Sequence, residues 1–462
     1  MSVVGMPLKS NAAKAFKEAD ADSRGNLGDR THDQICRDRL LAMEKEDGYP
    51  PIADGGVLYR FDPQAKIFKA YARDALALDY AGIYPHEKRC KTRKDYLALA
   101  EHTVPLADCP DFFACAPVGF AAGGAFFRIA EAGMEREPLG PQHRQRSALP
   151  AEPDEGAATP LLNAFLTRAF NGGDSLGQTF RFAEALGGVI SRALPKMQKA
   201  VLLLGIAASG KSTAARFVEA MVPPSFVTAT PPHQWGHEYY LASLSRSSLN
   251  LVGETSHNQA IPGAAFKAVL GGDLLQGRNP NHRPIEFRNQ AAHVFLANTL
   301  PPTDDRGDGF FRRWEIIEFR NQLKPEDMVP EFAERVLREE FPGLLAFAVQ
   351  GAVRLAQQGF RFTQSETHTK LLLRWRMAAS SVIEFLHDDE VCLLSPEVEC
   401  TQSDLFDGYR AWATRAGRKP IGRKSFADEI DANGAAAGVA RRRGHAGARL
   451  ISGVRLVVGA EW

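Results

Sequence analysis

The chain has 462 residues, of which 44% are hydrophobic and 24% charged, with a formal net charge of +1. These values fit a soluble protein of two to four domains with real cores, and exclude both a disordered polyelectrolyte and a chain that coats nucleic acid by bulk charge. Any nucleic-acid site must therefore rest on local clusters of Lys and Arg.

Residues 1–30 are rich in Ala, Lys, Asp and Gly without periodicity, which predicts a loose arm, followed by a helix over Thr31 to Asp47. VLYRFDPQAKIFKAY (57–71) reads as strand, Asp62-Pro63 turn and strand, Asp95 to Glu101 as a helix, and Val118 to Ile129 as a hairpin around Gly123-Gly124. The Pro- and Ala-rich stretch 141–160 predicts a linker over the surface, with helices after it at Leu161–Phe170 and Leu176–Ile190. His86, Cys90, His102, Cys109 and Cys115 are spaced too irregularly for a zinc site, and the six cysteines include no CxxC pair. No stretch approaches a membrane span and the opening residues hold no leader-like apolar core. The scattered cysteines point to a reducing cytoplasm.

The sharpest pattern is Gly205-Ile-Ala-Ala-Ser-Gly210-Lys211-Ser212, a complete GxxxxGK[ST]. AVLLL precedes it as a buried strand and TAARFVEAM follows at helical spacing, which is the context a phosphate-cradling loop needs. Backbone N–H groups of such a loop, with the helix N-terminus behind them, stabilise phosphate oxygens. The expected nucleotide contacts are Gly205, Ala208, Ser209, Gly210, Lys211, Ser212 and Thr213, with Ser212 on Mg²⁺ and ATP as the nucleotide.

Downstream, LNLVGETS ends a strand at Glu254, where a carboxylate can orient an attacking water. Gly253 stands before it, where many motors carry Asp. HVFLAN ends another strand at Asn298, whose amide can report the γ-phosphate. Arg312 and Arg313 precede a further strand. Either can serve as an arginine finger toward a neighbouring subunit, and Arg313 is slightly preferred. A basic hairpin spans Leu274 to Phe287 with Arg278, His282 and Arg283, while residues 325–376 read as helices. In the last segment Ser403 is the expected N-cap of one helix, a second helix follows, and ARRRGHAGARLISGVRL reads as a basic hairpin. Arg423, Lys424, Arg441, Arg442 and Arg443 are its candidate phosphate contacts.

The order of GxxxxGKS, acidic strand end, FKAVLGGD, basic turn, FLAN-LP and FFRRW resembles superfamily 3 helicases, more narrowly the primase–helicase proteins of phages, plasmids and poxviruses. The likeness extends over roughly residues 50–462, with only the motor motifs sharp. It implies a multidomain chain: an arm and short helix (1–48), an α+β domain (49–150), a linker and helical collar (151–198), an α/β P-loop NTPase motor (199–376) and a winged-helix domain (380–462). It further implies a hexameric ring moving 3′ to 5′ on single-stranded or forked DNA, with the hairpin in the channel and Lys267 near channel or nucleotide. A separate primase or replication initiator is an expected partner. The only tempting primase carboxylates, Asp20 and Asp22, lie in the arm, so no primer synthesis is expected. Two other readings stay open: a DNA-stimulated ATPase that loads or remodels replication proteins, and a DNA-binding regulator that does not unwind. A small-molecule kinase leaves the basic hairpin and C-terminal unit without a role.

Overall fold

The computed structural model describes residues 31–83, 92–255, 258–279, 284–444 and 448–457. Two compact units emerge, one holding Met1–Ala53, Val57–Arg60 and Ala70–Asp108, the other Asp54–Gly56, Phe61–Lys69 and Cys109–Trp462. The division runs through the expected 49–150 domain.

The first unit is built on three helices, α1 (His32–Asp47), α2 (Arg73–Ile83) and α3 (Arg93–Leu106). Thr31 and Gln34 cap α1 reciprocally, and Thr92 and Asp95 do the same for α3, so that helix starts earlier and runs further than its apolar pattern suggests. Ile35, Met43, Leu76, Tyr80 and Leu99 form the shared core. Strands β2 (Val57–Asp62) and β3 (Ile67–Tyr71) make the expected strand–turn–strand pattern, and β1 (Ile52–Asp54), which was not expected, pairs with β2.

In the second unit β4 (Gly119–Ala122), β5 (Ala125–Ala130) and β6 (Gly133–Pro138) form an antiparallel meander. The stretch 141–160 that follows is not a surface linker. His143, Gln145, Arg146 and Leu149 are buried, His143 stacks on Phe126 at 4.3 Å, and Leu149 donates its N–H to Ala121 at 2.8 Å. Ring stacking anchors a segment whose apolar residues are too sparse to mark it as packed.

Next come α4 (Pro160–Ala169), α5 (Ser175–Ile190), the short α6 (Ala193–Met197), β7 (Ala200–Gly205) and α7 (Lys211–Ala220). They are followed by β8 (Val227–Thr228), α8 (Glu238–Leu244), β9 (Leu249–Val252) and α9 (Gly263–Gly271). A two-stranded antiparallel ribbon of β10 (Leu274–Gly277) and β11 (Ile285–Arg288) leads into β12 (Ala292–Ala297), α10 (Asp308–Phe311) and β13 (Trp314–Phe319). Helices α11 (Phe332–Glu339), α12 (Phe341–Gln357) and α13 (Glu366–Ala379) follow. The five strands of the main sheet are parallel, in the order β13-β7-β12-β9-β8. Side chains alternate between two cores: Val201, Leu203, Val294 and Ile317 on one face, Leu202, Leu204, Phe295 and Trp314 on the other. On the first face α5 and α12 meet backbone to backbone, because a side chain at Gly187 would run into Ala352 and one at Gly351 into Ala183.

The last segment packs α14 (Ser381–Leu386), α15 (Gln402–Arg415) and α16 (Arg423–Asn433) on an antiparallel sheet of β14 (Cys392–Thr401), β15 (Ala440–Arg443) and β16 (Arg449–Leu456). The cap of α15 is Thr401, which accepts the Asp404 N–H at 3.1 Å, rather than Ser403, which lies inside the helix. No helix among the described residues is long and apolar enough to cross a membrane.

Buried polar clusters tie the sheet to its neighbours. Glu315 on β13 pairs with Arg181 (2.5 Å) and Lys199 (2.6 Å), and the Ile316 N–H donates to His368 Nδ1 at 3.1 Å. On β12, His293 lies between the amide groups of Asn250 (3.2 Å) and Asn289 (2.9 Å). Burial drives the His293 pKa down to about 3 and that of His368 to about 4. In the unfolded chain both return to about 6.5, so the unfolded state takes up protons first as pH falls. Their contribution is present above about pH 6.5 and lost on descending toward the folded values. Thermal unfolding at pH 5.2, above the carboxylate range, should therefore have a lower midpoint than at pH 7.5. Equal midpoints would contradict neutral buried rings.

Candidate functional site

Strands β7, β12 and β9 lie side by side and parallel, so their carboxyl ends open on one edge of the sheet. The glycine loop leaves β7 there and returns as α7, with Ala208 (φ 57°) and Gly210 (φ 95°) both left-handed. That winding turns successive N–H groups toward one concavity. The Ser209 hydroxyl donates to Ile206 O at 2.7 Å, and the Leu323 N–H donates to Ala208 O at 2.8 Å. Lys211 is buried and its ammonium donates to Gly205 O and, at 2.6 Å, to Ile206 O. Burial lowers the Lys211 pKa, and the Glu254 carboxylate opposes that shift.

Glu254 and Asn298 stand at the ends of β9 and β12. Thr255 fixes the first to the second, its N–H donating to Leu296 O at 3.0 Å and its hydroxyl at 3.1 Å. Both side chains are exposed, as is Ser212, whose hydroxyl has no hydrogen-bond partner among the described residues. Ala208, Ser209, Gly210, Lys211, Ser212, Thr213, Glu254 and Asn298 all line one cavity of about 700 Å³. Gly205 ends β7 beside it, against Phe319.

The far wall of this cavity was not foreseen. Phe165 and Arg168 come from α4, and Leu323, Asp327, Met328, Val329 and Phe332 from the approach to α11. Met328 and Val329 are half exposed, and Arg168 pairs with Asp327 at 2.9 Å between the two segments. An apolar wall facing a phosphate-type loop suits a planar base. The only advance signal is two exposed apolar residues beside Pro330.

The remaining candidates divide. Arg313, the preferred finger, is buried, donates to Gly309 O and has a pKa lowered first by burial and then by Arg312. The single turn of α10 points it inward, leaving Arg312 exposed with no ion-pair partner among the described residues. Lys267 is half exposed and pairs with Asp305 at 2.6 Å. Arg278 begins the connection after β10, and its N–H donates to Glu238 O at 3.1 Å. His282 and Arg283 lie outside the described residues, as do His86, Cys90, Asp20 and Asp22. Of the zinc candidates, His102 faces Asp33 at 3.4 Å, and no group of three His, Cys, Asp or Glu among the described residues is placed to hold a metal ion.

A second feature missed in the sequence lies beside the ribbon. Tyr239 and Tyr240 on α8 are exposed, Leu274 likewise, and the Arg278 guanidinium sits 5.9 Å from the Tyr239 ring centre. In the C-terminal segment Arg441 pairs with Asp431 at 2.7 Å, Arg442 with Glu399, and Arg423 stacks on Phe406 at 5.0 Å. Their charges are thus partly answered within the fold. Lys424 and Arg443 are exposed and without ion-pair partners among the described residues.

Phe332→Ala should weaken binding of a fluorescent ATP analogue by roughly tenfold through lost apolar contact. An unchanged Kd in fluorescence titration would count against this wall as a base-binding surface.

Residues 203–313 match a family described as of unknown function (DUF5906). No curated protein matches the chain. Among solved structures, the A form apo structure of the NrS-1 C-terminal region is 13% identical, with 92% of this chain and 100% of that chain covered and a TM-score of 0.48. A further apo structure of the same region is also 13% identical over 92% and 100%, with a TM-score of 0.45.

Proposed function

We propose that this chain is an ATP-driven motor on DNA, a superfamily 3 type helicase of phage or plasmid replication. In this reading residues 199–376 are the P-loop NTPase motor and 380–462 a winged-helix-like DNA-binding module. One observation carries it: the glycine loop, Lys211, Glu254 and Asn298, distant in sequence, line a single cavity of about 700 Å³. The motif order supplies the rest.

Lys211 would exchange its two carbonyl acceptors for β- and γ-phosphate oxygens, and the loop N–H groups would hold the phosphate chain. Ser212, exposed and without a hydrogen-bond partner among the described residues, would hold Mg²⁺, to which Gly253 offers no carboxylate. Bound there, the ion would supply neutralisation of charge on the phosphates. Glu254 orients water against the γ-phosphate, and Asn298 hydrogen-bonds both. The finger across a subunit interface of a hexameric ring is Arg312, since Arg313 is spent inside its own subunit. The site acts on the cytoplasmic DNA of a bacterial host.

Forked-DNA unwinding with ATP and Mg²⁺ tests the reading. Wild type should unwind and Lys211→Ala should not, while Glu254→Gln should bind ATP yet lose at least 100-fold in turnover. Unchanged hydrolysis by Glu254→Gln would sink the assignment. DNA-stimulated hydrolysis without unwinding would replace it with a loader of replication proteins.

The grip on DNA is assigned to the ribbon and its aromatic flank. Single strands bind to surfaces that offer cations for phosphates and rings for bases. Arg278 over Tyr239, with Tyr240 next to it on α8, supplies both. Tyr239→Ala should reduce oligothymidine affinity by about tenfold in fluorescence anisotropy, leaving nucleotide binding alone. Arg441→Gln should cost much less than Arg443→Gln, and the reverse order would count against the pairing described above.

A further inference from the structure

Two arginines, Arg146 buried and Arg192 partly buried, lie where β4, the α5–α6 turn and the end of α7 converge, and neither has an acidic partner among the described residues. Arg146 is 4% exposed, lies over the rings of Phe113 (5.1 Å) and Phe226 (5.5 Å), and reaches Ser248 Oγ only at 3.5 Å. Its Nε has no hydrogen-bond partner among the described residues. Arg192 occupies a left-handed turn (φ 60°), and its enclosed Nη1 also has none. No carboxylate stands within ion-pair distance of either among the described residues. Asp54, which feels the charge of Arg146, is instead engaged with the Phe113 N–H at 3.1 Å. Lys196, one turn further, adds a third positive charge and donates to Ala116 O at 2.6 Å.

Guanidinium groups hold their proton, so the cost of enclosing them is not relieved by neutralisation. Burial, and secondly Arg146, lower the Arg192 pKa to about 9, which still leaves it charged at neutral pH. Such a pair needs a counter-charge. Beside it lies a cavity of about 30 Å³, lined by Arg192, Gln145, Ser147, Ser248, Met221 and Pro223. That volume admits a compact ion and excludes a nucleotide. It shares no residue with the Lys211 cavity.

We propose that this cavity binds a small oxyanion of the phosphate class, held by Arg192 with Ser147 and Ser248 in the field of Arg146. The ion ties the β4–β6 meander to the helix that follows the glycine loop. The source is free phosphate, since a phosphodiester brings two sugars that this space does not admit.

Thermal unfolding of the full chain in the Lys211→Ala background separates this site from the glycine loop. Raising inorganic phosphate to 20 mM, against sodium chloride of equal ionic strength, should raise the midpoint by about 2 °C or more. Adding Arg192→Gln should remove that rise without lowering the midpoint in phosphate-free buffer, because it deletes a repelled cation. An equal rise in both proteins, or none in either, overturns the proposal. Ser147→Ala, a milder change, should at least halve the rise, and an unaltered rise there counts against the site. Loss of oligothymidine affinity in Arg192→Gln with no phosphate effect would instead assign the arginines to the DNA backbone and reject the free ion.

Discussion

Parallel strands can be joined only by crossovers, so consecutive carboxyl ends collect on one edge of the sheet. Here the pairing of Leu204 with Ala297 and of Phe295 with Val252 sets the heights at which three strands end. A slip of one residue would turn every buried side chain to the wrong core, so two hydrophobic faces enforce the register. The position of the glycine loop relative to Asn298 and Glu254 is thus a by-product of packing. Backbone contact between α5 and α12 at Gly187 and Gly351 makes that packing stiff on the loop's side of the sheet.

The parts of the site that could be read in advance are those where local sequence and strand end coincide. GIAASGKS, VGE and FLAN each sit at the close of an apolar run, and the structure brings them to one cavity. The apolar wall was hidden because Phe165, within α4, and Phe332, at the start of α11, sit on amphipathic helices and look like ordinary core residues. The slight preference for Arg313 over Arg312 pointed the wrong way, because one turn of helix at 308–311 decides which faces inward. The packed 141–160 stretch was missed for a similar reason. Its burial depends on rings contributed by Phe112, Phe113 and Phe126, and no period in its own residues announces them.

Pairing within the fold also sorts the basic residues in a way composition does not reveal. Glu315 absorbs Arg181 and Lys199 in the interior, while Glu399 and Asp431 answer Arg442 and Arg441 at the surface. What remains for a polyanion is a small set of exposed cations near rings or on hairpins. A near-neutral chain can therefore still present local positive fields.

The tethering of Lys211 to Gly205 O and Ile206 O bears on how quickly the loop can empty. A lysine whose only partner was the phosphate would be left bare and poorly solvated each time product departed, and that state would oppose departure. Here two carbonyls of its own loop take the ammonium back. On the proposed function, arrival and departure of phosphate would be exchanges of acceptor, with the net affinity set by a difference between two satisfied states. In that motor, such a loop would trade tightness of binding for speed of release, which suits repeated cycles better than storage.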